Sequence, residues 1–332
     1  MFFSNFKQNR LAYGALMVWL LMSVLVVLAP LFANDKPLLL KYQHTWYVPL
    51  LYEYPETTFG GVFETPTNYK DPALQALIAR QGMMVMPIHR YAGDTLVLDS
   101  ELPHPAAPTT KHWLGTDAMG FDVVSRVLYG LRVSLLFGLC LTLLGGVLGV
   151  MVGALMGYFG AWVDLLGQRV LEVWLGLPQL FVLLILSGVF EPSALVLFVV
   201  MLLFAWLPWV SVVRLHFFRL RQSAFVLSAK NLGVSNCRIM YRHILPSMLP
   251  LLLAQAPFVL AANIISLTAV DFLGLGLPVG AASLGELLLQ GKNHLDAPHL
   301  ILTGFAVLGV VLTLLIFIGE GCRQALAADN NG

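Results

Sequence analysis

The sequence predicts an all-α, polytopic membrane protein with six transmembrane helices and an extracytoplasmic insertion after the first. Three observations point there. The chain is 58% hydrophobic and only 11% charged, with a mean hydropathy of +0.80, far oilier than a soluble globular protein. Its apolar residues fall in runs long enough to cross a bilayer. Its basic residues are bunched: six of 19 Lys and Arg lie between Arg214 and Arg242, and no Asp or Glu occurs from Pro192 to Val270. A short basic loop between membrane-length segments stays on the cytoplasmic side.

Lys7 and Arg10 precede an uncharged run, Leu11 to Ala33, which is read as an uncleaved first span rather than a secretory signal because more spans follow. With the basic start inside, residues 34–111 are outside. This insertion is rich in Pro and aromatics, with turns at Gly60-Gly61, Asp71-Pro72 and Pro103 to Pro108. A helix at Pro72 to Arg80 and a strand at Asp94 to Leu98 are expected. Its role is either contact or gating near a solute path, or a cap without ligand chemistry.

In Lys111 to Leu139, KHWLGTDAMGFDVVSRVLYGLRVSLLFGL, Gly115, Asp117 and Gly120 read as a turn, and Asp122 as the cap of an amphipathic interfacial helix. Arg126 and Arg132 are expected at headgroup level. Asp117 and Asp122 without a third ligand point to turn and cap roles rather than to metal. The second span, Val133 to about Gly157, carries Gly145, Gly149, Gly153 and Gly157 four apart, a flat face for close helix packing. Asp164, Arg169 and Glu172 mark the next turn and the start of a third span that continues to Phe190. The fourth span runs from Ala194 to about Val213. The fifth, Leu249 to Val270, ends at Asp271. Asn263, Ser266 and Thr268 with Asp271 give it a polar side that either faces a translocation path or makes interhelical hydrogen bonds. The sixth span, roughly Leu300 to Gly319, returns the chain so that both termini are cytoplasmic.

The basic island, FVLSAKNLGVSNCRIMYRHILP, reads as helix, break, helix. Val226, Ala229, Leu232 and Gly233 recur at helical spacing, and Gly233 can take a positive φ. Ser235 is an expected N-cap for a helix Asn236 to Ile244, on which Ile239 and His243 share one face and Pro246 is the stop. The three cysteines, Cys140, Cys237 and Cys322, are scattered and read as inert thiols. No GxxxxGK[ST] phosphate loop occurs, since Gly291-Lys292 is followed by Asn293, and there is no HExxH, so catalytic and metal residues are expected to be absent. With few basic residues in all and the densest group in one short loop, nothing points to nucleic acid.

The island resembles the coupling loop of ABC importer permeases, written EAA, three residues, Gly, five residues, Ile, three residues, His, one residue, Leu-Pro. Ala229, Gly233, Ile239, His243, Leu245 and Pro246 fall on that pattern, while Leu227 and Ser228 replace its leading Glu and Ala. The stretches 111–139, 157–178 (GYFGAWVDLLGQRVLEVWLGLP) and 271–295 (DFLGLGLPVGAASLGELLLQGKNHL) resemble the signatures of the second permease of dipeptide and oligopeptide importers. ANDKPLLLKYQHTWYVPLLYEYPETTFGG and SLGELLLQGKNHLDAP resemble its Yej-type branch, the E-type permease. The resemblance implies a type I ABC importer permease core over 112–332 after a first helix at 1–33, with loop 214–247 docking on a cytoplasmic ATPase. It further implies a second permease subunit as heterodimer partner, a periplasmic peptide-binding protein, and peptide cargo such as oligopeptides or microcin C-like antibiotics in the bacterial inner membrane. ATP and Mg would be bound by the ATPase, with no cofactor in this chain. The alternatives are a permease for another solute, such as nickel or an opine, and a stand-alone channel.

Overall fold

The computed structural model describes residues 2–98, 103–190, 193–278 and 280–331; residues 99–102 of the insertion and Val279 of the last signature stretch lie outside them. The helices in order are α1 (Phe2–Gln8), α2 (Arg10–Val27), α3 (Ala29–Phe32), α4 (Pro72–Gln81), α5 (Val123–Phe159), α6 (Ala161–Leu175) and α7 (Gln179–Ser187). There follow α8 (Ala194–Ala205), α9 (Leu207–Leu220), α10 (Ala224–Asn231), α11 (Asn236–Arg238), α12 (Leu249–Phe272), α13 (Leu284–Asn293) and α14 (Pro298–Asn331). Among the described residues five helices are long and apolar enough to cross a membrane, six if the bent pair α6–α7 counts as one span.

That bend is the first departure from the sequence reading. The third span is not one rod to Phe190: α6 and α7 meet at 63°, because Pro178 cannot donate to the preceding turn and Gly176 ends α6. Conversely, the expected interfacial helix and the second span are one continuous α5, with nothing between Val123 and Phe159 to break it.

The chain forms two compact units. One comprises 1–21, 134–278 and 307–332; the other comprises 22–133 and 279–306. The second is therefore larger than the insertion 34–111, because it also takes in the end of α2, α3, the start of α5, α13 and the start of α14.

In the first unit the glycine row of α5 lies against the backbone of α8 and α9. A Cβ on Gly145 would meet Ala205 O at 2.7 Å; on Gly149, Trp206 O and Trp209 Cβ at 2.5 Å; on Gly153, Val210 O at 2.8 Å; on Gly157, Arg214 O at 2.4 Å. From Gly149 on, each step of four residues on α5 meets the next turn of α9, through Trp206, Val210 and Arg214, so the two helices touch backbone to backbone at successive turns. Gly321 of α14 is pressed in the same way onto Ala12 of α2.

In the second unit, β1 (Leu39–Tyr42) pairs antiparallel with β2 (Thr45–Tyr47) on one side and β3 (Gly82–Val85) on the other. The hairpin turns at Gln43 and His44, both at positive φ. Leu40 and Tyr42 face a buried cluster with Phe59, Tyr69, Leu74 and Ile78, closed by edge-on ring pairs such as Tyr47–Phe59 at 5.2 Å. Asp71 caps α4 by accepting from Ala73 N at 2.9 Å, with Pro72 in the first turn where no donor is needed. The strand expected at Asp94 to Leu98 is not formed; only Leu96 makes a single bridge, to Phe121. The true strands were masked because a Gln-His turn carries no glycine signal.

Candidate coupling site

The basic island folds as a two-helix elbow in the first unit. Ser223 opens α10 with extended backbone, and Val226 and Ala229 turn inward. Gly233 sits at φ +78° with nothing within 4 Å of where a Cβ would be. It reverses the chain by conformation, not by close approach. The amide of Val234 then bonds back to Ala229 O at 3.1 Å. Ser235 stands at the N-cap position with extended backbone, but its hydroxyl makes no cap bond; its carbonyl receives Ile239 N.

After α11 the chain passes into a π-helical turn, Ile239–Ile244, and a 3-10 turn, Leu245–Met248, before α12. Two expectations change here. Pro246 does not stop the helix: the path continues to Phe272, because the wide turn has already shifted the hydrogen bonds to Leu245 N→Met240 O before the proline's missing donor is met. Ile239 and His243 also differ in burial, against the expected shared face. Ile239 is 0% exposed, packed with Val213, Phe217, Val226, Ile244 and Met248, whereas His243 faces out. In this turn the inward positions are Ile239 and Ile244, five apart, and His243 falls on the outward side.

The elbow therefore has an inner row of Val226, Ala229, Ile239, Ile244 and Met248 that fixes its shape. Its outer surface presents Leu232, Arg238, Tyr241, Arg242 and His243. Leu245 is half-buried and Pro246 exposed. Tyr158 near the end of α5 ties the elbow down, donating to Asn236 Oδ1 at 2.8 Å with Lys230 over its ring. Arg214, where α9 leads to the elbow, grips Asp164 of α6 with both its Nε and its Nη2, the latter at 2.8 Å. This bidentate fork holds α6 to α9. Glu172 pairs with Arg169 at 2.6 Å on the exposed side of α6.

The polar side of α12 is largely turned inward. Asn263 donates to Thr142 Oγ1 of α5 at 3.0 Å, and Thr142 in turn donates to Gly138 O. Thr268 bonds back to Ile264 O, and the Asp271 carboxylate receives Leu277 N at 2.8 Å in the turn after α12. Ser266 is half-buried.

The second unit holds a cluster no motif announced. Asp117 accepts Met119 N and Phe121 N in the expected turn, but Arg126 is not at headgroup level: it is 1% exposed, with Nε 3.3 Å from Asp117 and Nη1 donating to Gly280 O at 2.7 Å. Gln290 of α13 closes the group through Ala118 N→Oε1 at 2.9 Å. Asp122 caps α5 at Ser125 N and also takes His89 Nε2 at 2.8 Å and His112 Nδ1 at 2.7 Å. Each imidazole gives a nitrogen to a carboxylate oxygen, so the group is a hydrogen-bonded cluster. These partners come from positions 89 and 112 in loops, which spacing alone does not join.

Burial alone would raise the Asp122 carboxyl, but the His89 and His112 hydrogen bonds outweigh it and hold the carboxyl below the usual range. A depressed carboxylate stabilises the fold above its unfolded pKa and loses that contribution as pH falls through the folded one. The stability gap between wild type and Asp122→Asn is therefore widest at neutral pH and shrinks below about pH 4. Thermal unfolding of both proteins between pH 7 and 3 measures it; a gap that widens on acidification contradicts the assignment.

The fold is a multi-span membrane bundle carrying a basic elbow between two of its spans, with close helix packing behind it. The comparisons assign it to a transport system. Residues 149–329 match the family described as binding-protein-dependent transport system inner membrane component. The chain is 45% identical over 97% of its length, and 94% of the relative's, to the inner membrane ABC transporter permease protein YejE of Escherichia coli K12. It is 41% identical to the peptidoglycan transport system permease protein YejE of Agrobacterium fabrum, covering 97% of this chain and 90% of that one. The oligopeptide transport system permease protein OppC of Mycobacterium tuberculosis H37Rv is 33% identical over 72% of this chain and 82% of its own. The chain belongs to the binding-protein-dependent ABC transporter permeases, multi-pass proteins of the inner membrane.

Proposed function

We propose that this chain is the permease subunit of an ATP-driven importer for peptides, and that the elbow at 224–248 couples it to a cytoplasmic ATPase. The observation that carries the reading is the division of the elbow into an inner row that holds its shape and an outer surface of Leu232, Tyr241, Arg242 and His243 left for a partner. Within the coupling set, Ala229 and Ile239 build the elbow, Gly233 sets its bend, and His243 and Pro246 lie on the contact side with Leu245 at its edge. The loop and both termini are cytoplasmic in this reading, following the basic residues. ATP and Mg sit in the ATPase, which does the hydrolysis. A second, different permease chain completes the pathway, and a binding protein delivers cargo from outside.

The cargo assignment rests on relatives named for oligopeptide, dipeptide and peptidoglycan transport, whose common chemistry is the peptide amide. Peptide antibiotics of the microcin C kind fit the same class. Of the polar residues on α12, Ser266 is assigned to the path. Asn263, Thr268 and Asp271 border it while keeping their partners within the chain.

Gly233→Trp tests the coupling. An L side chain at φ +78° is strained, about 1–2 kcal/mol for left-handed backbone, so the protein still folds and inserts, but the elbow's outer surface is re-aimed. Uptake of labelled peptide by the reconstituted complex should fall to background while the chain stays in the membrane. Unchanged uptake would sink the coupling role.

A further inference from the structure

The three-stranded sheet of the second unit has one face buried on the Phe59 cluster and one face bare. Leu39, Trp46, Met83 and Val85 alternate outward on that bare face, each 40% to 56% exposed. They are cross-strand neighbours: Leu39 pairs with Val85, while Lys41 pairs with Trp46 on one side and Met83 on the other. Lys41 is the only charged residue in the three strands, and its ammonium lies over the Trp46 ring at 5.5 Å. Ile88, just beyond β3, is 80% exposed. A contiguous apolar face of this kind marks an interaction surface.

We propose that this face rests on the lipid surface of the membrane, with Trp46 and Lys41 among the headgroups. Two features choose lipid as the occupant. The first is continuity with a membrane helix. His89 N donates to Phe32 O, Asn34 N to His89 O, and Leu38 N to Val85 O, so the sheet is bonded to the chain as it leaves α2 and α3. Leu39 follows Phe32 by seven positions, a reach of at most about 25 Å even if fully extended. A face so tethered cannot stand far from the headgroup layer. The second is chemistry. A tryptophan, a lone lysine and aliphatic side chains without an acid form the composition of an interfacial surface, where the indole sits at the headgroups and the ammonium meets lipid phosphate.

Photo-crosslinking tests it. p-Benzoylphenylalanine is placed at Met83, at Trp46 and, as a control, at Ala76 on the exposed side of α4, whose other side packs on the opposite face of the sheet. The whole complex is irradiated in vesicles of zwitterionic lipid with and without anionic lipid, and the chain is analysed by mass spectrometry. Lipid adducts at 83 and 46 should exceed those at 76 several-fold, and Lys41→Glu should lower them only where anionic lipid is present. Crosslinks from 83 and 46 to another protein subunit, or lipid adducts no more frequent than at 76, would overturn the proposal. A Lys41→Glu yield unchanged in anionic vesicles would overturn the headgroup pairing.

Discussion

Gly149→Ile should collapse the membrane bundle, and Gly146→Ala, three residues away on the same helix, should leave it intact. A Cβ on Gly149 lies 2.5 Å from both Trp206 O and Trp209 Cβ, and neither atom belongs to the movable end of a side chain. The added carbons must push α5 away from α9 along the whole row from Gly145 to Gly157. Overpacking a well-filled interior costs about 1–3 kcal/mol, and more when the neighbour is backbone. At Gly146 the nearest atoms are those of the Trp209 ring at 3.5 Å, ordinary contact, and the gain from removing a helical glycine, about 0.5–1 kcal/mol, goes uncontested. Thermal unfolding in detergent or nanodiscs separates the two, with a large fall in Tm for the first variant and none for the second. Equal behaviour would mean that the α5–α9 contact does not carry the bundle.

Arg126→Ala should be the most damaging change in the sheet-bearing unit. Arg126 supplies the cation next to Asp117 and a donor to Gly280 O, at a site from which water is excluded. Removing one partner of a buried pair costs about 3–5 kcal/mol. Burial already pushes the Asp117 carboxyl up, so in the variant it takes a proton instead of standing charged and alone. An acid with a raised folded pKa binds its proton more tightly when folded, so stability falls as pH rises. Arg126→Ala should thus be weaker at pH 8 than at pH 5, and Asp117→Asn in the same background should remove that dependence while keeping an acceptor for Met119 N and Phe121 N. Unfolding midpoints at the two pH values decide it; a variant more stable at pH 8 would contradict the assignment.

Much of this was legible in the sequence where local rules apply. Asp122 as a cap, Gly233 at positive φ and the helix after Asp71-Pro72 each follow from one residue's preference. What was not legible depends on distant partners or on helix pitch. His89 and His112 meet Asp122 only because two loops converge on the start of α5. Arg126 reads as an interfacial arginine until Asp117 and Gly280 enclose it. Ile239 is buried and His243 exposed in a π turn that no composition rule announces. The sheet was hidden behind a hairpin whose two positive-φ residues are Gln43 and His44 rather than Asn or Gly.

The most direct test of the coupling claim is cysteine crosslinking from the elbow in the assembled, membrane-embedded complex. Single cysteines at His243 and at Ile239 are introduced after replacement of the three native ones, and a short bifunctional reagent is added. The account predicts that position 243 joins the nucleotide-hydrolysing subunit, with a yield that changes when ATP binds, and that position 239, buried beneath it, does not. Labelling of position 243 only from the side away from that subunit, or a link from 239 but never from 243, would contradict it.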